Sequence, residues 1–346
     1  MKAVYYSIFF VALAASSCSS EVSSETTTEG STSDSVLTLL DSIQIDTFDY
    51  DNCAKAWDLE EAMATPDSFC NLKLGGYENQ ISEIPQEIEK MTHLRSLDLG
   101  ANRITKIPAF LSDLEELSLY GNALKEWPQG LSELTSLKEL DLSRNQLTEL
   151  DESILKMKNL EVLRISGNAI SEINPKIFEL PNLREFFFTE NSLEEIPQEV
   201  AKMKKLQVLS LSAMEVGDET FPPDHQMKSV NTLYAGAIYA NSFQGEGNSL
   251  TTIPEWILEM DSLTHLFVDY GLITEIPEDI DRLEFLEDLN LEGNELESLP
   301  ESIKNLKNLK SISLGGNKFS DEEIEKINSL FSDDVHIEWE EMNVGC

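Results

Sequence analysis

Groups able to do chemistry are few and scattered in this sequence. Its four histidines are His93, His225, His265 and His336, and its four cysteines are Cys18, Cys53, Cys70 and Cys346. None falls into the H-E-x-x-H or C-x-x-C spacing that holds a metal or a redox pair. A glycine-rich phosphate loop and a G-x-S-x-G nucleophile turn are also missing, so no catalytic residue, metal site or cofactor is expected. What remains is recognition chemistry. Arg164, Phe187, Tyr234, His265, Phe267, Asp269 and Tyr270, with Tyr239 and Phe243 between glycines, mix aromatic faces with a few charges, which is the composition of an interface centre. Whether these residues share a surface depends on the elements that carry them.

Those elements repeat. Leu137, Leu140, Leu142, Asn145 and Leu147 recur 23 residues later as Leu160, Leu163, Ile165, Asn168 and Ile170, and again as Leu183, Phe186, Phe188, Asn191 and Leu193. Self-similarity at such a period marks a solenoid. Residues two apart, such as Leu140 and Leu142, share one face of an extended backbone. One coil cannot bury its own leucines, but stacked coils join them into a continuous core. The side chain between the two leucines then points out of the concave face. In coil order that position holds Asp98, Ser118, Asp141, Arg164, Phe187, Ser210, Tyr234, Phe267, Asn290 and Ser313, while His265, Asp269 and Tyr270 stand in neighbouring columns.

An asparagine follows each strand at Asn102, Asn122, Asn145, Asn168, Asn191, Asn248, Asn294 and Asn317. The backbone bends there and leaves polar groups inside, which a buried amide can satisfy from both sides. The row is therefore expected to be a structural ladder, broken at Met214 and Gly271. On the return side, Ile107-Pro108, Trp127-Pro128, Ile196-Pro197, Ile253-Pro254, Ile276-Pro277 and Leu299-Pro300 each precede an apolar residue three on. Proline lacks a donor and fixes φ, which suits the first turn of a short helix.

The order L-x-x-L-x-L-x-x-N-x-L resembles the leucine-rich repeat family, in its 23-residue class with Ile-Pro. The resemblance covers most of the chain and implies an α/β solenoid: a horseshoe of about ten coils with a parallel concave sheet, capped at both ends. It also implies that a partner binds the concave face.

The remaining segments fall in order around this body. Lys2 and the apolar run Val4 to Ala15 have the layout of a secretory leader (1–17), too short to span a bilayer. Leu13-Ala-Ala-Ser-Ser-Cys18 resembles a bacterial lipoprotein signal, which implies acylation of Cys18 and an exported, lipid-anchored protein at the cell envelope. A Ser/Thr/Glu-rich tether follows (18–45), too poor in apolar residues to fold. An N-terminal cap (46–71) contains a helix start at Asp58 with Glu61 three residues on, and Trp57 is expected to help cover the first coil. Cys53 and Cys70 lie in this cap and are candidates for a disulfide in an exported chain. The repeats (72–319) carry an insert at 236–247, and a helix-strand cap (320–346) opens on Ser320 with Glu323.

Charge narrows the partner. With 25 Lys+Arg against 64 Asp+Glu the formal charge is −39, which argues against nucleic acid or an anionic membrane as the partner. Membrane contact is expected through the lipid anchor only. The expected function is a non-enzymatic protein-binding scaffold, with a carbohydrate binder or a cation-dependent adhesin as alternatives. Partner identity and oligomeric state are not encoded in any motif. Two outcomes stay open for the aromatics: Phe187 and Tyr234 are displayed for a partner, or the insert covers them as packing.

Overall fold

The computed structural model describes residues 54–76, 80–193, 196–212, 217, 219–221, 227–236 and 250–339. Among the described residues thirteen strands form one sheet in the order of the sequence. From β2 (Phe69–Lys73) through β3 (Ser96–Asp98), β4 (Glu116–Ser118), β5 (Glu139–Asp141), β6 (Val162–Arg164), β7 (Glu185–Phe187), β8 (Val208–Ser210), β9 (Thr232–Tyr234), β10 (His265–Phe267), β11 (Asp288–Asn290) and β12 (Ser311–Ser313) to β13 (His336–Glu338), every neighbouring pair is parallel. β1 (Ala54–Ala56) precedes them.

The register follows the period. Leu117, Leu140, Leu163 and Phe186 stand opposite one another on successive strands. Leu140, Leu163 and Phe186 are each 0% exposed, as are Leu142, Ile165 and Phe188 two residues on. Each such side chain stabilises the stack by roughly 1.5–3 kcal/mol relative to exposure. No strand alone could bury them, so the sheet and the core form together.

The asparagines close the bend. Asn145 donates from Nδ2 to the carbonyls of Leu119 and Leu142 at 2.9 Å each, and its Oδ1 accepts from the amides of Asn122 at 2.9 Å and Leu124 at 3.0 Å. Asn102, Asn122, Asn168, Asn191, Asn294 and Asn317 likewise bond a carbonyl of the preceding coil. Asn248 and Met214 lie outside the described residues. The residue before the asparagine is left-handed in coil after coil: Ala101, Gly121, Arg144, Gly167, Glu190, Gly293 and Gly316 all have positive φ, and so does Tyr270 before Gly271.

The prolines sit one residue earlier than expected. Pro85, Pro108, Pro197, Pro254 and Pro300 have φ from −58° to −75° and stand just before the short helix rather than in its first turn. Their carbonyls explain the placement. Pro108, Pro128, Pro197, Pro254, Pro277 and Pro300 each accept the amide three residues on, from Leu111, Leu131, Val200, Ile257, Ile280 and Ile303. Those apolar residues are all buried, so proline directs the chain into a 3-10 turn that delivers one side chain to the core.

Helices cap the repeats. In α1 (Leu59–Ala64) the Asp58 carboxylate accepts the Glu61 amide at 2.7 Å, and the Glu61 carboxylate accepts the Trp57 amide at 3.1 Å. The first bond is that of an N-cap, and the second departs from a capping box by one residue, since the amide it satisfies precedes the cap. Ala62 is the residue α1 buries. Trp57 does not cover the coil end: it is 65% exposed, with the Lys73 ammonium 5.7 Å from its ring centre. After α2 (Glu255–Leu258) on the return side, α3 (Asp321–Leu330) starts at Ser320, whose hydroxyl accepts the Glu323 amide at 3.2 Å. It buries Ile327, and β13 then closes the sheet. Among the described residues no helix is long and apolar enough to cross a membrane. Cys70 is disulfide-bonded; Cys18, Cys53 and Cys346 lie outside the described residues.

Candidate partner-binding face

Strands β9, β10 and β11 place three columns side by side. His265 stands between Thr232 and Asp288, and Phe267 between Tyr234 and Asn290. Because side chains alternate across a strand, His265, Phe267 and Asp269 project from the same face, away from buried Leu266 and Val268.

The aromatic row is mostly covered. Tyr234 and Phe267 stack with ring centres 4.7 Å apart and planes 10° apart, and Tyr234 is only 6% exposed. Phe187 is 7% exposed, with the Arg164 guanidinium 5.4 Å from its ring centre. Arg164 is itself held by Glu139 at 3.4 Å and Glu185 at 3.8 Å. So three displayed aromatics reduce to one: Phe267 keeps open surface, while Phe187 and Tyr234 are buried packing. The contacts that accompany this burial come from one coil away, Arg164 over Phe187 and Phe267 against Tyr234; residues 237–247 of the insert lie outside the described residues. Tyr239 and Phe243 lie outside the described residues.

Around Phe267 the groups are acidic or pinned. His265 Nε2 lies 2.8 Å from Asp288 Oδ2 and its Nδ1 2.7 Å from Thr264 Oγ1. Burial pulls the His265 pKa down, and the Asp288 carboxylate opposes it. The Asp269 carboxyl folds over Gly236: a Cβ there would come within 2.5 Å of Asp269 Oδ1, so only glycine admits it. Burial pushes the Asp269 carboxyl up to about 7, and the Glu292 carboxylate adds to the rise. Tyr270 adopts φ 52°, lays its ring where a Cβ on Gly293 would lie, and donates from its hydroxyl to Glu292 Oε1 at 2.5 Å. Glu292 is 2% exposed.

Asp288 and Glu292 were not among the residues expected here. Each lies 23 positions beyond an expected one, His265 and Asp269, so extending the columns by one period finds them. Arg164 and Phe187 belong to another part of the face. Phe187 on β7 is three strands from Phe267, about 14 Å at the usual strand spacing. An open cleft of about 430 Å³ lies further along, lined by Arg95, Asp113, Glu115, Ser136, Lys138 and Asn159. Its cations are taken up by Glu115, at 3.7 Å from Arg95 and 2.5 Å from Lys138. Among the described residues no group of three or more His, Cys, Asp or Glu could hold a metal ion. What the β9–β11 region can do is bind: one half-open ring, fixed in orientation, beside carboxylates.

Comparison with known proteins gives the same architecture. Models described as leucine-rich repeats match residues 92–147, 158–213 and 285–306, and a two-copy model matches 135–178. Among curated proteins none matches the chain. An internalin of Listeria monocytogenes is 21% identical over 80% of this chain and 84% of its own, with a TM-score of 0.53. Toll of Drosophila, solved in complex with Spätzle, is 19% identical over 73% of this chain and 37% of its own, at 0.56. A leucine-rich repeat protein of Leptospira interrogans is 22% identical over 83% of this chain and all of its own, at 0.38. Period, parallel sheet, asparagine ladder and family models agree: the chain belongs to the leucine-rich repeat proteins.

Proposed function

We propose that the chain is a non-enzymatic scaffold that binds another protein through its concave face, tethered by an acylated Cys18 to a bacterial cell envelope. The observation that carries the binding reading is Phe267. It is a half-open aromatic ring, held rigid by its stack on Tyr234, among charged groups whose positions are fixed by hydrogen bonds. Rigid aromatics bordered by polar groups are the usual anchors of protein interfaces. Solenoids suit protein ligands because they offer extended surface, and Toll, which shares this fold, is solved with a protein ligand. The tether reading rests on the leader and cysteine of the sequence and is tested by mass spectrometry of the amino terminus.

A carbohydrate ligand would need a ring face to stack on a sugar. Tyr234 offers little, being buried, which leaves Phe267 alone and favours protein. The test is capture from envelope extract by the full chain and by its Phe267→Ser variant. Loss of the captured protein by a variant that is still fully folded at the assay temperature supports the reading. Capture that is indifferent to Phe267→Ser, or binding on a glycan array that the same substitution removes, overturns it.

A further inference from the structure

One edge of the sheet carries a charge order that the chain itself leaves unanswered. A short turn leads into each strand, and the in-register strands line these turns up in one row at the surface. The turns before β6, β8 and β9 bring Lys158, Lys204 with Lys205, and Lys228. Those before β10, β11 and β13 bring Asp261, Glu284, and Asp333 with Asp334. The turn before β7 holds the uncharged Pro181 and Asn182, and the one before β12 holds Lys307. All these charged residues are exposed. Counted outward from the boundary between β9 and β10, the two halves of the row are opposite in sign at three steps of four. The fourth sets a neutral turn against Lys307. Lys228 and Asp261 already meet across the boundary at 2.8 Å. Among the described residues Lys158, Lys204, Glu284, Asp333 and Asp334 enter no ion pair.

Phe285 is a second observation in the same row. In its position Asn159, Asn182 and Asn308 each donate to a carbonyl of the preceding turn, of Thr135 at 3.0 Å, Lys158 at 2.9 Å and Glu284 at 2.7 Å. Phenylalanine cannot make that bond, and its ring is left 56% exposed. The repeat gains nothing from it.

We propose that this edge is the contact between two copies of the chain, related by a two-fold axis that crosses the row at the β9–β10 boundary. Such an axis lies in the interface, and set perpendicular to the row it reverses the order of the strands. The turn before β9 then faces that before β10 of the copy, β8 faces β11, β7 faces β12 and β6 faces β13. Lys204 and Lys205 meet Glu284 and the open ring of Phe285, which accepts a cation on its face. Lys158 meets Asp333 and Asp334, and no like charges of the row oppose each other. Moving the axis by one strand sets Lys204 and Lys205 against Lys228, or Asp261 against Glu284. An axis along the row sets every charge against itself. The signs thus select one register. Each copy carries −39, but at physiological salt exposed charges more than about 8 Å apart are largely screened, so the facing turns decide. Charges beside the row are taken up within the chain, Arg184 by Glu161, Lys310 by Glu287 and Arg282 by Glu255. The pairing goes beyond the scaffold reading: it leaves both concave faces open, turned the same way, as a bivalent surface.

The test is sedimentation velocity on the full chain at physiological salt, in a concentration series reaching about 100 μM, where even a weak dimer is populated. A monomer–dimer equilibrium is expected. Lys204→Glu with Lys205→Glu should weaken it about ten-fold or more, because the two-fold axis counts each contact twice. Glu284→Lys should do the same. An equimolar mixture of these two variants should recover the dimer, since each altered turn then faces its complement, and recovery also shows that both variants fold. Phe285→Asn, which installs the residue type of the other turns, should weaken the pairing several-fold. A chain that stays monomeric throughout the series overturns the proposal. So does a dimer indifferent to the charge reversals or to Phe285→Asn, or a mixture no more associated than its separate components. The scaffold reading is decided independently, by Phe267→Ser in the capture experiment.

Discussion

The ladder makes the sharpest quantitative demand. Replacing Asn145 with leucine keeps the volume and removes the amide. The carbonyl of Leu142 keeps a second donor, Nδ2 of Asn168 at 3.0 Å. Three groups lose their side-chain partner: the carbonyl of Leu119 and the amides of Asn122 and Leu124. A buried group left unsatisfied costs about 1–3 kcal/mol. Asn145 is 7% exposed, so some water reaches the site and the lower end applies, giving a total of about 3–5 kcal/mol. The control is Asn159→Leu, which loses only an exposed bond to the Thr135 carbonyl at 3.0 Å and should cost under about 1 kcal/mol. Urea unfolding measures both, and hydrogen exchange shows where the loss falls. Protection should drop first in the 119–147 segment, because coils stabilise only their neighbours. A cost for Asn145→Leu below about 1 kcal/mol, or one no larger than the control's, would refute the reasoning.

Three further outcomes follow from single positions. Tyr234→Ser removes a buried stacked ring and should cost about 3 kcal/mol, while half-open Phe267→Ser should cost clearly less; equal melting shifts would contradict the burial difference. At the left-handed slot, Ala101 has φ 56° and Gly121 φ 65° with no atom nearer than 3.8 Å to an added Cβ. Ala101→Gly should therefore stabilise, and Gly121→Ala destabilise, each by about 0.5–1 kcal/mol in urea midpoints; shifts of the same sign would rule this out. Asp269 binds a proton in the folded chain up to pH about 7, against 3.8 for an ordinary aspartate. Its contribution to stability is thus greatest below pH 4 and is lost as pH rises toward 7. The wild-type stability minus that of Asp269→Asn should fall across this window and then level off, and a rising difference would show the carboxyl is not held up.

The features legible in the sequence were those written once per coil. Leu140 and Leu142, Asn145 and the Pro-x-x-apolar turn recur at one period, so each copy confirms the others, and the caps at Asp58 and Ser320 are local hydrogen-bond patterns. What the sequence hid were pairings between coils. Phe187 meets Arg164 of the preceding coil, and Tyr234 meets Phe267 of the following one. A position-by-position reading treats every concave aromatic as displayed. Trp57 went wrong in the opposite direction, since one exposed ring carries no periodic signal of where it points. The columns were the remedy: Asp288 and Glu292 become visible once His265 and Asp269 are advanced by 23 residues.

Column arithmetic also sets β9–β11 apart from the rest of the concave face. The position just before each strand alternates in sign along the first coils: Arg95, Glu115, Lys138, Glu161, Arg184. The structure pairs them across coils, Arg95 and Lys138 on Glu115 and Arg184 on Glu161, and the Glu115 bond raises the Lys138 pKa. Each exposed pair adds at most about 1 kcal/mol, so the row does little for stability. Its effect is on the field: opposite charges held within one coil spacing cancel for any approaching partner. The alternation stops at Gln207, Asn231 and Thr264, and resumes only with Glu287 and Lys310, paired at 2.6 Å. On the last of those three neutral coils nothing in that row offsets Asp269. Within that row, the coils that carry Tyr234 and Phe267 are thus the ones without a compensated pair, so a partner charge meeting the row there meets no opposing pair one coil away.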